Sequence, residues 1–271
     1  MTAAAIPPPT SARPPKPARS YLPLLGLAAF LAITWLSVSE EFGIGLDVGE
    51  LIGNLGRGMG IWAEFLDPNW AFLPDTFGPL LETFQMAVIA AAVGCAVALP
   101  VSFLASRVTT PNTAAYLADR GLLSIVRAIP DLLYALIFVA AVSIGPLAGI
   151  LALVFFNIGV VAKLLSETID GVDTGPIEAT RAAGANRLQM QRWAVLPQVL
   201  PNYVAYALYT FELNIRASTV IGLVGAGGLG VLLNTQRAFF RYDNLAVIIV
   251  ELFVLVFVIE FFSIWLRRRL V

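Results

Sequence analysis

Long apolar runs constrain this chain more than anything else in it. A helix crossing the hydrocarbon layer of a bilayer needs about 20 mostly apolar residues, and its backbone polar groups must be satisfied within the protein. Six stretches meet that length, at residues 21–38, 79–105, 121–144, 146–168, 198–223 and 243–266. Of the 271 residues, 58% are hydrophobic and 13% are charged, whereas soluble domains run near 45–50% and 25%. The excess apolar surface exceeds what a soluble core could bury. The sequence therefore predicts an all-α integral membrane protein, a polytopic bundle of about six transmembrane helices. Pro100, Pro130 and Pro146 fall in or beside these runs, where neighbouring helices in a membrane can re-satisfy the freed carbonyls.

The charges that remain are grouped. Basic residues mark the cytoplasmic side of membrane proteins, and acidic residues carry little weight. With the N-terminus inside, Arg107 and Arg120, then Arg181, Arg187 and Arg192, then Arg267, Arg268 and Arg269 all fall inside. Both termini are thus expected in the cytoplasm. Segment 39–76 falls outside, with Glu40, Glu41, Asp47, Glu50, Glu64, Asp67 and Asp75 against Arg57. Arg237 and Arg241 run against the pattern, on the last outer segment. Leu51, Leu55, Met59 and Trp62 recur at helical spacing in that acidic segment, which suggests an amphipathic helix on the membrane surface.

Residues 1–20 contain Pro7, Pro8, Pro9, Pro14, Pro15 and Pro17 and read as a disordered cytoplasmic tail, leaving 21–271 as the membrane domain. The apolar run after the tail has no small-residue cleavage site before Glu40, so it is expected to stay as a first span. Histidine is absent and Cys95 is the one cysteine. That excludes an internal disulfide and a His/Cys metal cluster, and Cys95 reads as a small buried residue. A net charge of −1 disfavours a nucleic-acid partner.

Hydropathy stops between 169 and 197. Pro176 suits a first helical position, Gly184 permits a turn, and Asn186 can cap a second helix running to Val195, before Pro197 and Pro201 mark the next span. Two short helices in an L are expected. Within them stand Glu178-Ala179-Thr180, three residues, Gly184, nine residues, Ala194, one residue and Leu196-Pro197. This resembles the Glu-Ala-Ala loop of ABC importer permeases, with Thr180 for the third motif residue and Ala194 for an isoleucine. The resemblance implies a type I ABC importer-like transmembrane domain, whose loop docks into a cleft of a separate ATPase subunit. Two such ATPases and an extracytoplasmic substrate-binding protein are implied, together with a second permease copy, a homodimer or a pairing with a similar chain. ATP and Mg would then sit on the ATPase, and this chain would bind no cofactor and perform no catalysis.

Two further stretches resemble phosphonate permeases: Arg127 to Leu132 with Ala135 to Phe138, and Glu212 to Thr219 followed by Gly222 to Gly230. The likeness covers the chain from about residue 75. It implies a phosphonate, phosphite or related phosphorus oxyanion as substrate. Glu212 and Arg216 stand at i, i+4, and a guanidinium can offer paired donors to an oxyanion. Asn214, Ser218 and Thr219 supply neutral donors nearby. These five residues read as a substrate path or, equally, as a structural pair in a polar setting. Gly225, Gly227, Gly228 and Gly230 permit a non-helical turn and close helix approach, a gate element or a packing seam. The glycine run lacks a preceding strand and the Walker lysine, so it is no nucleotide loop. Arg127 and Asp131 are expected to form a structural ion pair, and Lys163 with Glu167 repeats that spacing near an interface. Other readings are a permease for methionine, another amino acid or an osmolyte, a membrane enzyme, or a passive channel that would not need Glu178.

Overall fold

A computed structural model of the chain describes residues 21–39, 44–45 and 48–270. The proline-rich tail 1–20, with Glu40, Glu41, Asp47 and the side chain of Leu51, lies outside the described residues. Every regular element among those described is helical. The chain divides into two units, one ending at Met59 and the other beginning at Gly60.

The first unit contains α1 (Leu22–Val38), α2 (Val48–Gly53) and the opening of α3 (Leu55–Phe65). Helix α1 has no buried side chain. Its Thr34 and Ser37 hydroxyls donate to the carbonyls of Phe30 and Ile33, which keeps them satisfied in an apolar setting. The surface helix expected over 51–62 forms as two pieces broken at Asn54, with Leu55 and Met59 exposed.

In the second unit a single 3-10 turn leads into α4 (Leu73–Leu104), followed by α5 (Thr113–Ala128), α6 (Asp131–Val142), α7 (Pro146–Asp170), α8 (Gly175–Ala182) and α9 (Arg187–Met190). A π-helical turn over Gln191–Val195 joins α9 to α10 (Leu196–Gly222), and α11 (Gly228–Ala238) and α12 (Tyr242–Leu270) complete it. Helices α4 and α7 make the most extensive pairing. Small residues allow it: Ala87, Ala90 and Ala98 of α4 and Ala148, Ala152 and Ala162 of α7 are fully buried. A Cβ on Gly94 would lie 2.5 Å from the Cβ of Asn157, so only glycine fits there. Asn157 Nδ2 donates to the Ala90 carbonyl at 2.9 Å and ties the two helices.

The span expected over 121–144 is not one helix. It breaks between α5 and α6 with an 87° bend, because Pro130 lacks an N–H and drives Ile129 out of the helical region, to φ −87° and ψ 120°. The Arg127–Asp131 ion pair expected from i, i+4 spacing does not form, since that spacing brings side chains together only along a continuous helix. Asp131 Oδ1 accepts instead from the N–H of Leu132 at 2.9 Å. Both residues line a cavity of about 330 Å³ with Phe156 and Val160.

By length and composition, three helices can cross a bilayer, Trp70–Leu104, Pro146–Asp170 and Tyr242–Arg269, and the bent pair makes a fourth. Helix α1 is apolar but 17 residues long. Helix α10 has 27 residues but carries Gln198, Asn202, Glu212, Asn214 and Arg216. Hydropathy alone counted six.

Candidate functional site

At one end of the second unit, the chain between α4 and α5 is tied to the end of α7. Asp170 accepts from the Ser106 hydroxyl at 2.6 Å and the Arg107 N–H at 2.9 Å, and Arg120 stands 3.8 Å away. The 171–186 segment leaves from this anchor. Gln198 holds its base from both sides, accepting from the Asp173 N–H at 3.0 Å and donating to the Asp173 carbonyl at 3.3 Å.

Helix α8 has Pro176 in its first turn and one buried apolar residue, Ile177, seated among Leu165, Ile169, Met190 and Val199. Burying Ile177 turns Glu178, Ala179 and Arg181 outward. Glu178 lies in the first turn, where the helix dipole favours a carboxylate, and forms no ion pair among the described residues. It is free to meet a partner's cation. Thr180 spends its hydroxyl within the helix, on the carbonyls of Pro176 and Ile177 at 3.0 and 2.9 Å.

Gly184, at φ +81°, ends α8. Its N–H donates to Arg181 and the Ala185 N–H reaches back to Thr180, closing the paired bonds of a Schellman motif that needs a left-handed residue at this point. Asn186 then caps α9 in a reciprocal box with Gln189, at 2.8 and 2.9 Å. Asn186→Ala should cost about 1 kcal/mol, seen as a lower unfolding midpoint of the solubilised protein. The two expected short helices are present, but the second arm does not stop at Val195. It runs through the π turn into α10, so Leu196 and Pro197 sit inside a continuous helical lever.

Farther along that lever, Glu212 pairs with Arg216 one turn on, and Arg267 of α12 approaches its other oxygen at 3.8 Å. The Glu212 side chain is 9% exposed and that of Arg216 is 51% exposed. The other three path residues face elsewhere. Asn214 is fully buried and donates to the Ala87 carbonyl at 3.2 Å, while the Ser218 and Thr219 hydroxyls donate to the Ile215 carbonyl of their own helix. Asn214 ties α10 to α4, Ser218 and Thr219 are satisfied within α10, and Arg216 alone of the five opens broadly outward.

At the opposite end, α10 stops at Gly222 and the chain turns through Gly225, Gly227 and Gly228, all at positive φ, into α11. The Gly145 N–H donates to the Gly225 carbonyl at 2.9 Å, and the Leu229 N–H donates to the Thr83 hydroxyl at 2.8 Å. Gly222 and Gly230 meet in backbone contact. A cavity of about 320 Å³ opens beside the turn, lined by Glu82, Gly145, Gly225 and Gly227. Sequence reasoning passed over Thr83, Asn157 and the chain of amides Asn69, Asn244 and Gln236. A polar residue within an apolar run was the available signal.

Residues 98–271 match the family described as binding-protein-dependent transport system inner membrane component. The chain belongs to that family. The match contains the whole loop around Glu178 and all of α10, and the chain is accordingly a permease subunit of an ABC importer, a transport component seated in a membrane. It is 38% identical over 224 residues to the phosphite transport system permease protein PtxC of Stutzerimonas stutzeri, covering 83% of this chain and 82% of that one. It is 40% identical over 214 residues to the phosphate-import permease protein PhnE of Mycolicibacterium smegmatis, 79% of this chain and 40% of that protein, so the chain spans well under half of that relative's length. Among solved structures, an inward-facing MetNI methionine ABC transporter aligns with TM-score 0.68 at 26% identity, over 75% of this chain and 99% of that one.

Proposed function

We propose that this permease carries a phosphonate, phosphite or related phosphorus oxyanion into the cell, and that Arg216 meets the anion on its way. The observation behind this is a half-exposed guanidinium on a membrane helix. A charge within a membrane bundle faces a water-filled path or the bundle interior, and Glu212, which Arg267 also approaches, fixes its direction. The named substrates of the phosphite and phosphate relatives are of the same chemical class.

In this reading two copies of the chain pair and enclose the path, and two ATPase subunits bind ATP and Mg below them. The loop of residues 169–197 faces the cytoplasm, as do both termini, in keeping with the basic residues on it. Glu178, Ala179, Thr180 and Gly184 form the part docked on the ATPase. Because α9 continues through the π turn into α10, a displacement of the loop is passed along one helical run to Arg216. A loaded binding protein docks on the opposite side, where the turn through Gly225, Gly227, Gly228 and Gly230 acts as the outer gate.

Uptake tests the substrate. In cells without a phosphonate importer, this chain with its ATPase and binding protein should support growth on phosphonate or phosphite as sole phosphorus source. Arg216→Gln should lower the initial uptake rate by about tenfold or more, the loss expected for a charge-assisted hydrogen bond, with the complex still assembled. The likeness to a methionine transporter favours a second reading, an amino acid substrate. In that case the variant changes uptake less than twofold and no phosphorus anion supports growth.

A further inference from the structure

Two adjoining cavities at the loop end of the bundle have no part in the function described so far. One is a groove of about 530 Å³ between the last turns of α4 and the arm that leads into α10, walled by Leu99, Phe103, Leu104, Leu188 and Leu196. The other, about 340 Å³, is lined by Arg107, Arg181 and Arg187 together with Thr109 and Asn186. One hydrogen bond links their walls. Gln191, on the groove, points its amide at the carbonyl of Thr109, in the basic cavity.

The basic cavity lacks a counter-charge. No carboxylate lines it, and Arg107, Arg181 and Arg187 form no ion pair among the described residues. Asp170 is already engaged by Ser106, the Arg107 N–H and Arg120. Arg107, Arg181 and Arg187, from two segments of chain, line this one cavity, Arg107 with its guanidinium also 4.8 Å from the Tyr116 ring centroid, and guanidiniums match the oxygens of a phosphoryl group. The groove beside them is apolar and extends towards the membrane-spanning part of α4. Leu188 at its rim is 76% exposed, and the exposed Trp193 lies with its ring 5.2 Å from the Arg192 guanidinium, an aromatic and basic pairing of the kind that marks the lipid headgroup level. Both volumes fall within the roughly 300–1,000 Å³ of small-molecule sites.

We propose that the two cavities together bind an anionic phospholipid, with an acyl chain in the groove and the phosphoryl headgroup among Arg107, Arg181 and Arg187. A free oxyanion would use the basic cavity and leave the groove uncovered. An ATPase surface would offer carboxylates to the arginines but no hydrocarbon reaching Leu99. The lipid would span from α4 to the loop bearing Glu178 and hold the lever in register, so that anionic lipid raises coupling. The proposal rests on the reading of residues 169–197 as the cytoplasmic coupling loop.

The test uses the complete transporter in nanodiscs of zwitterionic lipid with and without phosphatidylglycerol. Phosphatidylglycerol retained through a detergent wash is quantified by mass spectrometry, and binding-protein-stimulated ATP hydrolysis is followed in parallel. Wild type should retain the lipid, and Arg107→Gln with Arg187→Gln should retain about thirtyfold less, as expected for removing two basic contacts. Leu188→Trp, at an exposed position, fills the groove, should also lower retention, and decides the matter if the double variant fails to assemble. Retention unchanged in either assembled variant overturns the proposal. So does displacement of the lipid by millimolar inorganic phosphate, or full activation by water-soluble glycerophosphoglycerol, either of which makes the site one for a free oxyanion. Retention is read without substrate or ATP, so a wild-type complex that holds the lipid but hydrolyses no ATP would sink the coupling reading and leave the lipid site standing.

Discussion

Glu178→Lys should abolish ATP-driven uptake while the permease still folds and inserts. The carboxylate has no ion-pair partner among the described residues and lies on the outward face of α8, so exchanging it removes nothing seen to hold the bundle together. The anchor of α8 is Ile177, on the opposite face. On the docking proposed above, the exchange removes one half of a contact to the ATPase, and a lysine there places like charge against the partner's cation. Losing one member of a desolvated interfacial charge pair costs about 2–5 kcal/mol, which is about thirtyfold or more in affinity, and repulsion adds to it. Uptake by wild type and variant, with the ATPase co-purified on each, is the measurement. An undocked ATPase with an intact, monodisperse permease is the expected result. Wild-type uptake by Glu178→Lys would exclude ATP coupling through this loop and revive the passive-channel reading.

The loop was legible because its signals are local. A left-handed glycine, a capping asparagine and a proline in a first turn act through the backbone of a few adjacent residues, and Gly184, Asn186 and Pro176 do in the structure what their chemistry requires. Features that depend on continuity over distance were not legible in the same way. Hydropathy is blind to direction, so 121–144 reads as one span although Pro130 turns it by 87°, and the pairing of Arg127 with Asp131 fails with it. The restriction that proline places on the residue before it was the available signal. The α10 path shows a third case. Glu212, Asn214, Arg216, Ser218 and Thr219 are close in sequence, but at 100° per residue they point around a helix, and only packing against the neighbouring helices decides that Asn214 and Ser218 face inward. The continuity of α9 with α10 is of the same kind. Pro197 and Pro201 suggested an entry point after a stop, but a π turn absorbs the mismatch and carries the helix on.

The glycine turn invites the other large effect, because it separates packing from gating. A Cβ on Gly230 would lie 2.1 Å from the Thr219 carbonyl oxygen and 2.7 Å from the Gly222 Cα. Both obstacles are backbone, so no side chain can swing aside, and α10 and α11 must part. Overpacking a tight site costs about 1–3 kcal/mol and sometimes more, and Gly230→Val should reach the upper end of that range, leaving little protein that survives size-exclusion chromatography in detergent. Gly121→Ala is the control. Nothing lies within 4 Å of its added Cβ in the middle of α5, and it should raise stability by about 0.4–1 kcal/mol. Gly225→Ala then distinguishes the two roles. Its φ of +89° strains an alanine, but the nearest atoms to the new Cβ belong to the Ile144 side chain, at 3.2 Å, which can yield. If the turn is a gate, Gly225→Ala should assemble with a modestly lower unfolding midpoint and lose most of its uptake, because a turn that must change conformation is held more narrowly by alanine than by glycine. If the glycines serve only to let α10 and α11 touch, uptake by Gly225→Ala will follow the amount of folded protein and fall no further.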